Sequence, residues 1–340
     1  MSTSDHSQAP SPALFFQTVN AYQRTAALKT AIELELFTAI AEGNSVPVQL
    51  AHRCETSERG IRLLADYLII GGFLTKQGIA YALTQDSALF LDRHSPAYMG
   101  GAMEFMLSSP LREGFQHLTR AVKKGGTAID AQGIIAPEHP EWVRFARSMM
   151  PLMQEPAEWM AKWVCEHAPK TQKVLDVAAG HGIFGVEMAK KLPMVEVVAQ
   201  DWANVLTVAQ EQAAAAGVIN RFRMLPGSAF DVEFGEGYDL VLLTNFLHHF
   251  DVGTCEALLT RVHACLADSG RVMTLEFVPN EDRVSPPAMA EFGLTMLAIT
   301  PAGDAYSFAE YDRMFRQAGF VKSIMHDVPA SNERVIITQK

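Results

Sequence analysis

Lys173-Val174-Leu175-Asp176-Val177-Ala178-Ala179-Gly180-His181-Gly182-Ile183-Phe184-Gly185 decides how this 340-residue chain is read. Val174, Leu175 and Val177 form an apolar, β-branched run of the kind found in a buried parallel strand. Small residues take over from Ala178 to Gly182, and an amphipathic helix follows from about Phe184 to Lys191, closed by Pro193. A strand that breaks at glycines and re-enters as a helix aims backbone N–H groups and a helix N-terminus at one spot, which suits a carboxylate or a phosphate. Gly180 and Gly182 let the backbone turn tightly and approach a ligand with no Cβ in the way.

Two cofactors compete for this loop. Gly180 to Gly185 fits the dinucleotide pattern G-x-G-x-x-G, a weak signal when it stands alone. Asp176, near the end of the strand, argues the other way: a carboxylate repels a pyrophosphate and welcomes an ammonium group. S-adenosylmethionine (SAM) carries an ammonium, a carboxylate and a sulfonium, so one acid and several N–H donors suit it. The second strand, Val195 to Gln200, ends at Asp201, nineteen residues after Gly182, with Trp202 beside it. An acid there accepts from ribose hydroxyls, which fits either cofactor.

Composition sets outer bounds. The length is comfortable for two domains. With 49% hydrophobic and 19% charged residues the chain reads as an ordinary globular protein. A net charge of −10 argues against nucleic acid or an anionic membrane as general partners. Cys54, Cys165, Cys255 and Cys265 show no CxxC or CxH spacing and read as reduced core thiols in a cytoplasm. The polar first dozen residues lack the apolar core of a signal peptide. No apolar run reaches the ~18 residues of a membrane span.

Residues 1–12 read as a disordered tail and 13–100 as a small helical domain. Helical spacing runs through Phe16, Val19, Leu28, Ile32, Leu36 and Ile40. A second helix starts at Ser45-Val46-Pro47, and Thr56-Ser57-Glu58 caps a third carrying Ile61, Leu64 and Leu68. Phe73–Thr75 and Tyr81–Leu83 read as a hairpin. This is a winged-helix order, but the third helix has no basic face, so dimerisation is expected rather than DNA binding. Residues 101–172 read as a methionine-rich helical connector. Met103, Phe145, Met149, Met150 and Met153 are candidates for an adaptable apolar substrate pocket, although core packing explains such spacing equally well.

From 173 to 340, strands alternate with helices. Later strands fall at 221–225, 238–245, 271–277, 322–325 and 334–338, with intervening helices that include one near 288–297 bearing Phe292 and Met296, two further candidates for the substrate pocket. The pattern predicts an α/β, Rossmann-like doubly wound sheet of seven strands with the last one antiparallel. Ligands in such sheets bind at the carboxyl ends of the strands. Asp176, Gly180, Asp201, Gly227–Phe230, Asn245–His249 and Glu276 all fall there. His248 at the exit of the fourth strand, with Glu276 on the neighbouring strand end, suits a general base oriented by a carboxylate. No acidic cluster completes a metal site beside His248 and His249, so no metal is expected.

These residues resemble the two-domain SAM-dependent O-methyltransferases, the plant caffeate and flavonoid enzymes and the bacterial carotenoid and antibiotic-tailoring enzymes. The resemblance covers nearly the whole chain. The family's glycine motif matches Asp176 to Gly182, its ribose acid Asp201, and its adenine loop Gly227-Ser228-Ala229-Phe230. Its Leu-His-Asp-Trp motif matches Leu247-His248-His249-Phe250, and its base-orienting acid matches Glu276, twenty-eight residues after His248. Two departures stand out: Ser228 replaces the adenine-loop acid, and a second carboxylate near the base falls on Ala305. The resemblance implies methyl transfer from SAM to a hydroxyl of a small apolar or aromatic metabolite, S-adenosylhomocysteine (SAH) as product, and a homodimer built through the N-terminal domain. Relatives that became SAM-dependent hydroxylases or decarboxylases keep altered chemistry open. An NAD(P)-dependent oxidoreductase and a SAM-sensing DNA-binding regulator are the competing classes.

Overall fold

The structure is a computed structural model that describes residues 10–129, 138–329 and 331–340. The tail expected over 1–12 therefore lies, up to residue 9, outside the described residues. The chain divides into two compact units, with the break between Met103 and Glu104.

In the first unit, helices Leu36–Ala41, Pro47–Arg53 and Glu58–Ile70 pack beside a hairpin of β1 (Leu74–Gln77) and β2 (Ala80–Leu83). Ser57 Oγ accepts the N–H of Gly60 and so caps the third helix. Leu36, Phe37, Leu50, Ile61, Leu68 and Tyr81 form the core. Helix Ala13–Val19 buries none of its residues.

The second unit is a seven-stranded sheet. Its strands are β3 (Lys173–Val177), β4 (Glu196–Asp201), β5 (Phe222–Pro226), β6 (Tyr238–Thr244), β7 (Leu266–Glu276), β8 (Lys322–Asp327) and β9 (Arg334–Gln339), in the order β5-β4-β3-β6-β7-β9-β8. β9 runs antiparallel between β7 and β8, and the remaining neighbours are parallel. The strand order reverses between β3 and β6, which opens a crevice at their carboxyl ends.

Strand alternation assigns each side chain to a layer. Leu175, Val177, Val241 and Leu243 face one core with helices Val252–Cys265 and Phe308–Gln317. Val174, Leu240 and Leu242 face the other, with helices Pro140–His167 and Ile183–Lys191. The 28-residue helix Pro140–His167 holds Pro151 and Pro156 within it. From Glu104 onward the segment expected to be a connector belongs to the same compact unit as the sheet. No helix among the described residues is long and apolar enough to cross a membrane.

Candidate active site

A cavity of about 300 Å³ sits at the carboxyl ends of β3, β4, β5 and β6. Backbone shape makes the room. Ala178 (φ 52°) and Gly180 (φ 56°) after β3, Gly227 (φ 129°) after β5 and Asn245 (φ 53°) after β6 all turn left-handed on its wall. Two of the four carry a Cβ, and such strain held in place by surrounding structure is common where a ligand must be approached closely.

Polar side chains brace this wall. Asp201 ends β4, and its two oxygens accept the N–H groups of Gly180 (2.8 Å) and Trp202 (2.7 Å). Burial raises its carboxyl to about 6. Each oxygen keeps lone-pair capacity for a hydroxyl pair. Gln200 accepts the Ala178 N–H at 3.2 Å and donates to the Gly227 carbonyl at 2.6 Å, tying the β3 and β5 loops together. Ser228 Oγ accepts the Phe230 N–H at 3.1 Å. The acid missing at Ser228 returns nearby, because Asp231 lines the same cavity. Trp202, Phe230, Phe246 and Phe250 supply aromatic faces, and Trp142 and Phe145 of helix Pro140–His167 add two more.

The two histidines divide their positions. His249 lines the cavity, and its Nδ1 lies 3.2 Å from the Phe246 carbonyl, which sets that nitrogen as the donor. His248 is stacked on it with ring centres 4.2 Å apart, is 3% exposed, and lies behind the cavity wall. His248 Nδ1 pairs with Glu276 Oε2. Glu276 Oε1 accepts the N–H groups of Phe246 (3.0 Å) and Leu247 (2.8 Å), so one carboxylate holds both the turn and the ring. Burial lowers the imidazole below its usual range and raises the carboxyl, the backbone N–H groups opposing the latter. The His248 ring also meets Phe292 edge-on with ring centres 4.8 Å apart, and Phe292 stacks on Phe277 at 3.9 Å.

Of the residues expected at the cofactor, Gly180, Asp201, Trp202, Gly227, Ser228, Ala229, Phe230 and Asn245 line the cavity. Asp176 does not line it. It shares the face of Val174, and its Oδ2 accepts the Gly185 N–H at 3.3 Å beneath helix Ile183–Lys191, so it does not face the cavity. Gly182 also stays off the wall, capping that helix at φ 72°, where a Cβ would meet Ala209 at 2.8 Å.

Among the substrate-pocket candidates only Phe145 lines the cavity. Met153 is a core residue, because it falls on the face of its helix that packs against the sheet, and Met150 leans on the same cluster. Met149 is half-buried, Met296 packs with Leu111 and Ile299, and Met103 belongs to the N-terminal unit. Ala305 is buried, as expected for a position that has lost its acid. Beside it Asp304 donates its N–H to the His248 carbonyl at 3.0 Å. Gln200 and Asp231 were not singled out by sequence reasoning, and the cavity-facing His249 was weighed only as a metal ligand.

Comparison with known proteins gives this geometry a family. The model for the O-methyltransferase domain matches residues 115–321, and that for the O-methyltransferase dimerisation domain matches residues 16–93. A solved structure from Nostoc punctiforme, provisionally named an O-methyltransferase, is 54% identical with a TM-score of 0.95, covering 98% of this chain and 100% of that one. The 3-hydroxy-5-methyl-1-naphthoate 3-O-methyltransferase of Streptomyces sahachiroi is 26% identical over 331 residues, 94% of this chain and 93% of its own. Human N-acetylserotonin methyltransferase, solved in complex with SAM, shares the fold at 21% identity and a TM-score of 0.84, with 100% of this chain and 99% of that one covered. The chain belongs to the O-methyltransferase family, with the family's dimerisation domain preceding its catalytic domain.

Proposed function

We propose that this chain transfers a methyl group from SAM to a hydroxyl oxygen of a small aromatic metabolite, with His248 as the base and Glu276 as its orienting acid. The observation that carries the reading is the donor set of the cavity: a braced Asp201 for a ribose diol, aromatic faces for a purine, and a buried imidazole–carboxylate pair directly behind the wall. When bound, SAM supplies an electrophilic methyl group on a positively charged sulfur. Asp201 would hold the ribose, Trp202 and Phe230 the adenine, and Asp231 stands where it can accept from a polar group in place of Ser228.

The chain's own part in the chemistry is proton removal and alignment. A phenol near pKa 10 and an imidazole near 6.5 differ by roughly 5 kcal/mol for full proton transfer, and burial of His248 widens the gap. Free phenolate is therefore not made first; the proton leaves as the oxygen attacks. Such assistance supplies about 10²–10⁴-fold, and alignment of two bound reactants about 7–11 kcal/mol. Phe292 lies edge-to-face against His248, so an aromatic acceptor that approaches the base from that side meets this ring.

A second reading rests on one observation: His249, not His248, lines the cavity with a fixed tautomer. The two separate by mutation. With a panel of hydroxylated aromatics and isotopically labelled SAM, His248→Ala is expected to lower turnover about 10²–10⁴-fold with SAM affinity near wild type. Normal turnover in that variant, with the loss in His249→Ala instead, transfers the role to His249. The N-terminal unit is read as the homodimer contact, with Leu14, Phe15, Phe16 and Val19 exposed on its first helix.

A further inference from the structure

Glu333 stands immediately before β9, the strand inserted between β7 and β8. It is 2% exposed, and among the described residues neither carboxylate oxygen has a hydrogen-bond partner of good geometry, the Asn245 amide being the polar group that acts on it. Its own N–H goes to Ser331 Oγ at 3.1 Å. Arg334 is the obvious counter-ion, yet its guanidinium turns to Asp327, Asn280 and the Val278 carbonyl. A buried carboxyl without a cation keeps its proton rather than bear the cost of ionising. Burial, opposed by the Asn245 amide and aided by the Glu276 carboxylate, lifts Glu333 to about 8.

Asn245 connects this acid to the cavity. It lines the wall directly after β6, and its Nδ2 donates to Met153 Sδ at 3.4 Å. Asn245 also acts on Glu333, so Glu333 lies one side chain behind the cavity wall, with a removable proton that the step proposed above does not use.

We propose that Glu333 is the counter-charge for a cationic ligand group at the Asn245 end of the cavity, giving up its proton when positive charge arrives and regaining one when that charge is lost. The proposal rests on the reading of the cavity as a SAM site: there the charge is the sulfonium, and methyl transfer removes it by leaving a neutral thioether. Glu333 then favours the methyl donor over the spent product and helps release the product once transfer is complete.

Other titratable groups lie close. Glu276 on β7 faces Glu333 and is itself paired with His248. Asp201 and Asp231 stand elsewhere on the cavity wall, and His326 on β8 lies against Trp159 and Trp163. SAM and SAH differ only in the methyl group and its charge, so their comparison cancels proton changes linked to the ribose, adenine and amino-acid parts.

The test is calorimetry of the full chain at pH 7, with SAM and with SAH, in buffers of different ionisation enthalpy. Wild type is expected to release more protons with SAM than with SAH. Glu333→Gln, nearly isosteric and neutral, is expected to erase that difference and lower the SAM-to-SAH affinity ratio roughly tenfold while SAH affinity holds. Binding of both ligands with equal proton release, or an unchanged ratio in the variant, overturns the proposal and leaves the SAM reading intact. If neither ligand binds wild type, the SAM reading falls and this proposal with it. Should Glu333→Gln fail to fold, the wild-type proton counts decide alone.

Discussion

Replacing Glu276 by Gln changes the chemistry of a single terminal atom at the point where the proposed base is held. Glu276 Oε1 takes two buried N–H groups, from Phe246 and Leu247, while Oε2 faces His248 Nδ1. In the variant the amide oxygen stays with the two N–H groups, because the opposite orientation sets an NH₂ against two donors at about 1–3 kcal/mol for each one left unpaired. The NH₂ is then forced onto Nδ1, which must accept. The ring's one proton moves to Nε2, the nitrogen that has to be free to take the acceptor's proton. The expected loss is the whole general-base contribution, about 10²–10⁴-fold in kcat, or roughly 3–5 kcal/mol of barrier. Stability barely changes, since both backbone bonds survive; Glu276→Ala strands both donors and loses about 2–6 kcal/mol. Single-turnover methyl transfer measures the rate, and nitrogen-detected NMR of the imidazole reports its tautomer. A kcat within threefold of wild type, with the proton shown on Nε2, refutes the assignment of His248 as base.

Two further predictions follow from packing and burial. A Cβ at Gly303 meets the His248 carbonyl oxygen at 2.3 Å and Thr300 Oγ1 at 2.7 Å, so Gly303→Ala pushes the histidine turn outward. The expected cost is about 1–3 kcal/mol of stability and, for a shift near 1 Å, about 10² in kcat, read by thermal melts and turnover; an unchanged kcat shows that the turn's position does not matter. Raised carboxyls contribute stability that is full below their unfolded pKa and lost as pH climbs through the folded one, here about 7 for Asp176 and about 8 for Glu333. The lowered histidines His181, His263 and His326 work the other way, but only up to their ordinary 6.5. The ligand-free chain is therefore expected to lose stability from pH 6.5 to 8.5, by at most about 1.4 kcal/mol per pH unit for each proton released. Denaturant midpoints across that range test it, and midpoints that rise with pH contradict the burial argument.

What could be read from the sequence, and what could not, follows from how local each feature is. The β3 loop, Asp201 and Gly227–Phe230 were legible because glycine and small residues specify the backbone that makes the cavity. Asp176 lies off the cavity wall, and the signal for that was present. Strand alternation puts it on the face of Val174, opposite Leu175 and Val177, and that face is covered by helix Ile183–Lys191. The methionines of helix Pro140–His167 could not be sorted, because helical spacing shows that residues share a face and not what the face meets. Phe145 reaches the cavity, whereas Met153, eight residues on, is sunk against the sheet. Glu333 lies fifty-seven residues beyond Glu276. Only the insertion of β9 between β7 and β8, which pairs Glu276 with Arg334, brings the two acids together. Two final strands can be counted in the sequence; their order in the sheet cannot.

The charge around the cavity also decides between the cofactors that the G-x-G-x-x-G pattern leaves open, and on different residues from those first credited. With Asp176 off the cavity wall, the argument against a pyrophosphate passes to Asp201 and Asp231 on that wall. No Lys or Arg stands among the residues lining the cavity. Asp201 already engages the Gly180 N–H, one of the donors a phosphate needs. At an effective dielectric near 20, a phosphate charge about 5 Å from an ionised carboxylate is opposed by about 3 kcal/mol, and a sulfonium there is favoured by as much. The same glycine turn thus serves two cofactor chemistries, and the sign of charge on the wall beside it selects between them. In this chain that sign is negative, which places a cationic methyl donor and not a dinucleotide over the loop.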